Sequence, residues 1–266
     1  MQHEKHGKAE MTEAGLVVPA IIVIVGQACS LKCKHCANFS PYSPHETKRY
    51  PLQQITDALR VIFQASHHVR KIQVQGGEPF LYSELADLLD FIRNNDPETA
   101  ITVATNGTIV PDEAVLLALK RNHVIVRISD YAVTPPERVL QLKERLEEFG
   151  VEDWLYEFAS QDSMWYDMGR QTIPCEGNVE ERFFRCPFND CFTLENGKIS
   201  RCSRAVIAER VQGFVAREGD FLSVEPADDF SERLWKYLKT PRYMEACRYC
   251  LGAEGEKVVP AQQLDK

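Results

Sequence analysis

The sequence lacks an excess of positive charge, a long apolar run, internal repeats, low-complexity tracts and an even number of cysteines. Thirty-one Lys and Arg against 39 Asp and Glu leave a net charge of −8. That balance argues against a broad nucleic-acid or anionic-membrane surface. The apolar stretch LVVPAIIVIVG, residues 16–26, is too short to cross a bilayer. Pro19 interrupts it, and Glu4, Glu10 and Glu13 precede it, so it also reads poorly as a secretion signal. Nine cysteines exclude a fully paired intramolecular disulfide set and fit a reducing, cytoplasmic setting. What remains is a chain of 266 residues, 44% hydrophobic, with room for one large domain or a domain plus an appendage.

The hydrophobic pattern alternates strand and helix. The β-branched run IIVIV, 21–25, predicts a buried strand, followed by a long cysteine-bearing loop. Residues 52–66 place Ile55, Leu59, Ile62 and Phe63 on one helical face. Strands are predicted at 71–75, 100–105, 124–129 and 154–158, and helices at 82–94, 112–121 and 136–149. Strands joined by crossover helices imply a parallel sheet with its chemistry at the C-terminal strand ends. The fold class is therefore α/β, a partial (β/α) barrel of about five to six parallel strands with a small C-terminal domain of hairpin plus helix. The expected boundaries are a flexible N-terminus over 1–17, the barrel over 18–160, an arm over 161–185 and the small domain over 186–266. Asn196-Gly197 predicts a hairpin over 192–201, and 229–246 reads as helical.

Cys29, Cys33 and Cys36 are spaced C-x3-C-x2-C in the loop after the first strand. Zinc commonly takes four ligands, whereas three thiolates suit a cubane iron–sulfur cluster with one iron left open. A zinc or disulfide site stays open on spacing alone. The motif resembles the CxxxCxxC signature of the radical S-adenosylmethionine (SAM) superfamily, and the resemblance covers about residues 18–160. It implies a [4Fe–4S] cluster on these cysteines, with SAM chelated by the open iron and cleaved by one electron to a 5′-deoxyadenosyl radical. GGEP at 76–79 resembles the family's SAM amino-group motif, which implicates Gly76, Gly77 and Glu78. There the glycines are expected to let backbone approach ligand; a plain turn before a helix is the bland alternative. The resemblance further implicates Thr105, Asn106 and Ser129 at strand ends, and His35 beside the adenine, where the family usually has an aromatic residue.

The tail holds Cys186, Cys202, Cys247 and Cys250, with C186-x10-G197-x4-C202 spanning the hairpin. Four thiolates can fully ligate a second [4Fe–4S] cluster, and a structural zinc is the alternative. The spacing resembles the twitch domain, a shortened SPASM domain; Cys191 lies too near Gly197 for that pattern. Cys175 and Cys191 then remain, either as small buried hydrophobes or as hydrogen-atom donors to a substrate radical.

The resemblance supplies cofactors but no substrate. No long N-terminal extension for peptide recognition is evident. One auxiliary cluster in a short chain resembles aminoglycoside and sugar dehydrogenases and epimerases. The arm QDSMWYDMGR, 161–170, offers Trp165 and Tyr166 for stacking and Asp167 and Arg170 for hydrogen bonds to a polyol. The expectation is hydrogen abstraction from a carbohydrate-like small molecule, with epimerisation ahead of dehydrogenation. The implied partner is an external one-electron donor such as flavodoxin or ferredoxin, with no nucleic acid and no membrane. Modification of a ribosomal peptide is the alternative, and a non-enzymatic iron–sulfur electron carrier is the reading outside enzymology.

Overall fold

The apolar stretch that cannot cross a membrane is instead a central strand of a sheet. In the computed structural model, which describes residues 8–157 and 164–265, β2 (Gly15–Ile24) is buried on both faces. Two parallel neighbours explain that: β3 (His68–Gln75) on one side and β8 (Thr193–Glu195) on the other. Pro19 has no N–H to give a ladder. It stands between the segment paired with β1 (Glu10–Thr12) and the segment paired with β8, where that edge requires no donor.

From β2 the chain alternates as the pattern predicts. After α1 (Leu52–Ala65) and β3 come α2 (Leu85–Asn95), β4 (Ala100–Thr105), α3 (Glu113–Arg121), β5 (Ile125–Asp130), α4 (Pro136–Glu148) and β6 (Asp153–Glu157). The face Ile55, Leu59 and Ile62 of α1 is buried, with Phe63 packed against the same core. The sheet order is β10-β9-β8-β2-β3-β4-β5-β6, and every pairing from β8 to β6 is parallel. An α/β fold with a mostly parallel sheet is thus observed, as expected. The loops after β2, β3, β4 and β5 leave one edge.

Four differences from the expectations have physical causes. Residues 10–17, expected within a flexible terminus, pair as a hairpin in which Thr12 Oγ1 donates to the Gly15 carbonyl. The hairpin of β8 and β9 (Lys198–Ser200) is not a separate unit: β8 joins the barrel sheet beside β2, and Leu194 and Ile199 share its core. The helix expected over 229–246 ends early. Here α7 (Phe230–Lys239) stops before Pro241, because proline disfavours helix at the residue before it; a 3₁₀ turn, Glu245–Tyr249, follows. Two helices went unpredicted, α5 (Val179–Arg185) and α6 (Ala205–Gln212).

Three short strands complete the chain. β10 (Leu222–Ser223) pairs with β9, and β7 (Trp165–Tyr166) pairs with β11 (Lys257–Val258). A small second core joins Phe39 of the cysteine loop to Ala205, Ile207 and Ala208 of α6 and to Met244 and Ala246. The tail therefore grips both the sheet edge and the loop above it. No helix among the described residues is long and apolar enough to cross a membrane. Of the arm, residues 161–163 lie outside the described residues.

Candidate functional site

The cysteine loop starts at Gly26, whose φ of +148° suits glycine and where an added Cβ would lie 2.3 Å from the Lys48 carbonyl oxygen. Cys33 is buried, and Cys29 and Cys36 are half-buried. Polar hydrogens approach the sulfurs: Leu31 N and Asn106 Nδ2 lie 3.4 and 3.5 Å from Cys29 Sγ, and Gln263 Nε2 lies 3.5 Å from Cys33 Sγ. Burial, reinforced by the neighbouring thiols, pushes Cys29 up to about 11 and Cys33 up to about 12. Free of metal these thiols keep their protons, so metal binding here releases protons.

GGEP and the ends of β4 and β5 converge beside this loop. Gly77 N donates to the Gly26 carbonyl at 2.9 Å, and Glu78 N to the Ala28 carbonyl at 2.7 Å. A Cβ on Gly76 would lie 2.2 Å from the Gly26 oxygen, and one on Gly77 2.2 Å from the Ala28 oxygen. The immediate need for glycine at both positions is thus close packing on the cysteine loop. Glu78 is buried, and its carboxylate accepts from Phe80 N, Thr105 Oγ1 and Asn106 N. Burial raises it to about 7, against those three hydrogen bonds. Asn106, held in this way, donates to Cys29 and Ser30. Ser129 is buried at the end of β5.

The arm docks on the same loop. His35 Nδ1 lies 3.1 Å from Asp167 Oδ1, and Arg170 stacks 3.7 Å over Tyr42. Trp165 meets Tyr131 edge-on at 5.3 Å. Asp167 and Arg170, read from sequence as polyol ligands, are engaged by the loop instead.

All four tail cysteines proposed as a second ligand set line one pocket: Cys186 after α5, Cys202 after β9, and Cys247 and Cys250 around the 3₁₀ turn. Cys191 does not line it. Backbone N–H groups of Phe188 and Gly252 point at Cys186 and Cys250 sulfurs, at 3.5 and 3.3 Å. Burial raises Cys186 to about 12 and Cys202 to about 11, with neighbouring thiols adding to the effect. Among the described residues no group of His, Cys, Asp and Glu converges on a single metal ion. A cubane distributes its thiolates over different irons, so a ring of four cysteines around an apolar pocket with N–H donors fits that group.

Cys191 itself is buried, 6% exposed, in the barrel core. Burial pushes its thiol well up; Cys202, Asp190 and Cys186 add to that, and Arg127 of β5 opposes it. Cys175 is half-buried, and its charge neighbours Arg182, Cys250 and Glu254 all belong to the tail.

Sequence reasoning missed several residues. Gln263 takes Lys32 N at 2.7 Å while approaching Cys33, so the C-terminal segment clamps the loop. Gln27 donates to buried Glu195 of β8 at 2.8 Å, and Tyr50 donates to the same oxygen at 3.1 Å. Nothing local marks these residues, because their partners are far away in the chain.

A mostly parallel α/β sheet carries a three-cysteine loop over its first long strand with a glycine-backed carboxylate beside it. Residues 23–153 match the Radical SAM superfamily. Over that segment the chain is similar to the radical SAM superfamily. The GTP 3′,8-cyclase of Helicobacter pylori (strain HPAG1) is 26% identical over 95 residues, 35% of this chain and 29% of that protein. The radical SAM cyclopropyl synthase TigE of Paramaledivibacter caminithermalis is 27% identical over 124 residues, 41% of this chain and 26% of that protein. The chain thus spans less than a third of the length of these relatives. The crystal structure of BtrN in complex with AdoMet and 2-DOIA superposes with a TM-score of 0.53 at 15% identity. It covers 94% of this chain and 98% of that one, a likeness of fold.

Proposed function

We propose that this chain is a radical SAM enzyme that takes hydrogen from a carbon of a carbohydrate-like small molecule (a sugar, aminocyclitol or aminoglycoside) and inverts that carbon. Cys29, Cys33 and Cys36 hold the first [4Fe–4S] cluster. His35, Gly76, Gly77, Glu78, Thr105, Asn106 and Ser129 form the SAM site. Cys186, Cys202, Cys247 and Cys250 hold the auxiliary cluster of a twitch-like tail. When bound, SAM and its cluster supply the 5′-deoxyadenosyl radical that removes the hydrogen atom.

What supports inversion is Cys191, a thiol buried in the barrel core, with Cys186, Cys202 and Arg127 near enough to bear on its charge. Its thiol gives a hydrogen atom to the substrate carbon: the S–H bond breaks and a C–H bond forms on the opposite face. An external one-electron donor, of the flavodoxin or ferredoxin class, and a solvent proton restore the thiol. Cys175, whose charge neighbours all lie in the tail, is the weaker candidate. The activities of the relatives, GTP cyclisation and cyclopropane formation, differ from each other, so a barrel match does not select a substrate. BtrN, alike along nearly the whole chain, was solved with AdoMet and 2-DOIA, which supports a small molecule over a ribosomal peptide. Nine cysteines, seven of them assigned to clusters, suit the reducing cytoplasm.

Turnover in heavy water tests the reading. Inversion through an exchangeable thiol puts one solvent deuterium at the inverted carbon, and Cys191→Ala still consumes SAM and stalls without inversion. A product poorer by two hydrogens, free of solvent deuterium and indifferent to Cys191 and Cys175, replaces inversion with dehydrogenation.

A further inference from the structure

Two arginines in the four-cysteine pocket have N–H groups with no partner. Arg182 is 3% exposed and Arg204 is 5% exposed, and both line the pocket with Cys186, Cys202, Cys247 and Cys250. Most of each guanidinium is used. Arg182 Nε donates to Glu254 at 2.8 Å and its Nη2 donates to the Glu176 carbonyl. Arg204 donates through Nη1 to the Ala37 carbonyl at 3.3 Å and through Nη2 to the Gly169 carbonyl, and it stacks 3.8 Å over Phe39. What is left is Arg182 Nη1 and Arg204 Nε, both buried without a hydrogen-bond acceptor among the described residues.

A buried, unpartnered donor on a charged group costs several times a typical net hydrogen bond. Two of them in one pocket need acceptors there, and although Glu254 balances the charge of Arg182, the hydrogen bonds of Arg204 go to carbonyls alone. The pocket lining, among the described residues, includes two cations and no carboxylate. A [4Fe–4S] group on four thiolates meets both needs: its sulfides and thiolates accept hydrogen bonds, and its net charge is negative and grows more so on reduction.

We infer that Arg182 and Arg204 are positioning residues for the auxiliary cluster, donating N–H···S bonds that favour its reduced state and so raise its reduction potential. This rests on the auxiliary-cluster reading above. Positive charge and hydrogen bonds at the sulfurs are the means by which a protein sets such a potential. Arg204 also ties the pocket to the first cluster's loop, through Ala37 and Phe39.

The test uses the full chain with Cys29, Cys33 and Cys36 changed to Ala, so that one cluster remains to be observed. At a fixed potential, Arg204→Gln and Arg182→Gln should each shift the ratio of reduced to oxidised cluster about tenfold toward oxidised. That is a midpoint about 59 mV more negative for a one-electron couple. Arg204→Lys and Arg182→Lys, which keep the charge, should recover part of the shift. Independently of any substitution at these arginines, protein labelled with 15N-arginine should show 15N coupling to the reduced cluster in pulsed EPR. Iron bound in the tail with no 15N coupling, or with unchanged potentials in the variants, overturns the arginine assignment. Absence of tail iron in the triple-alanine background overturns the auxiliary cluster itself.

Discussion

Gly77→Ala adds one methyl group where the structure has no room. The new Cβ would sit 2.2 Å from the Ala28 carbonyl oxygen, 2.6 Å from its carbon and 2.7 Å from the Gln27 oxygen. Ordinary contact between such atoms begins more than 3 Å apart, so backbone must move by roughly 1 Å. The obstacle is main chain, which cannot rotate away as a flexible side chain can. The Ala28 carbonyl accepts Glu78 N at 2.7 Å, so relieving the clash stretches that bond, and Cys29 follows directly in the chain. Overpacking of this kind costs about 1–3 kcal/mol, and a lost backbone hydrogen bond about 1 kcal/mol more. Displacement of Cys29 should weaken the first cluster together with SAM binding, although Gly77 ligates nothing. The control is Gly197→Ala. Its φ of +69° makes alanine cost about 1–2 kcal/mol, yet an added Cβ there meets nothing within 4 Å. Iron should be counted after anaerobic reconstitution in a background lacking Cys247 and Cys250, with SAM cleavage read as 5′-deoxyadenosine. Gly77→Ala should lose most of the barrel iron, and Gly197→Ala should keep it. Full iron with normal cleavage in Gly77→Ala would refute the close-packing argument. Full iron with weakened SAM binding alone would return Gly77 to a purely ligand-facing role.

The metal content of the intact chain should be ~8 iron, from two cubanes. Changing Cys29, Cys33 and Cys36 to Ala should remove about half and abolish SAM cleavage, and changing Cys247 and Cys250 should remove the rest while leaving some cleavage. Stoichiometric zinc in the tail would instead favour a structural metal site. Glu195, 1% exposed, is raised by burial to about 7 from 4.5. A carboxyl raised in the folded state stabilises it below the unfolded value, and that stability is lost as pH rises through about 7; the shift amounts to about 3 kcal/mol. Denaturant unfolding of metal-free protein at pH 4.5 and pH 8 should therefore show a smaller pH dependence in Glu195→Gln than in the parent. Equal pH dependence in the two would mean that burial does not shift Glu195 from its ordinary value.

Local patterns were enough for the strand–helix alternation, the buried face of α1 and the parallel sheet, because each depends on periodicity within one segment. The hairpin turn was equally local: Asn196 and Gly197 both take positive φ, 51° and 69°, as a two-residue hairpin loop requires. Cysteine spacing, together with its resemblance to the radical SAM and twitch patterns, was enough to propose two ligand sets. The end of α7 was misread because Pro241 was given too little weight against the apolar periodicity around it.

Tertiary structure decided what the spacing left open. Pairing of β8 with β2 carries the tail hairpin onto the barrel, and this pairing joins residues such as Gln27 and Glu195 that no local propensity relates. The same docking gathers Cys186, Cys202, Cys247 and Cys250 around one pocket and leaves Cys191 outside it. The glycines of GGEP were visible as glycines, but their packing against Gly26 and Ala28 was not, since steric contact depends on which backbone segments meet. Gln263 beside Cys33, and the arginine N–H groups in the tail pocket, are likewise matters of side-chain direction in space. Sequence determines which donors and thiols are available; only the folded chain determines which of them are left facing one another without water.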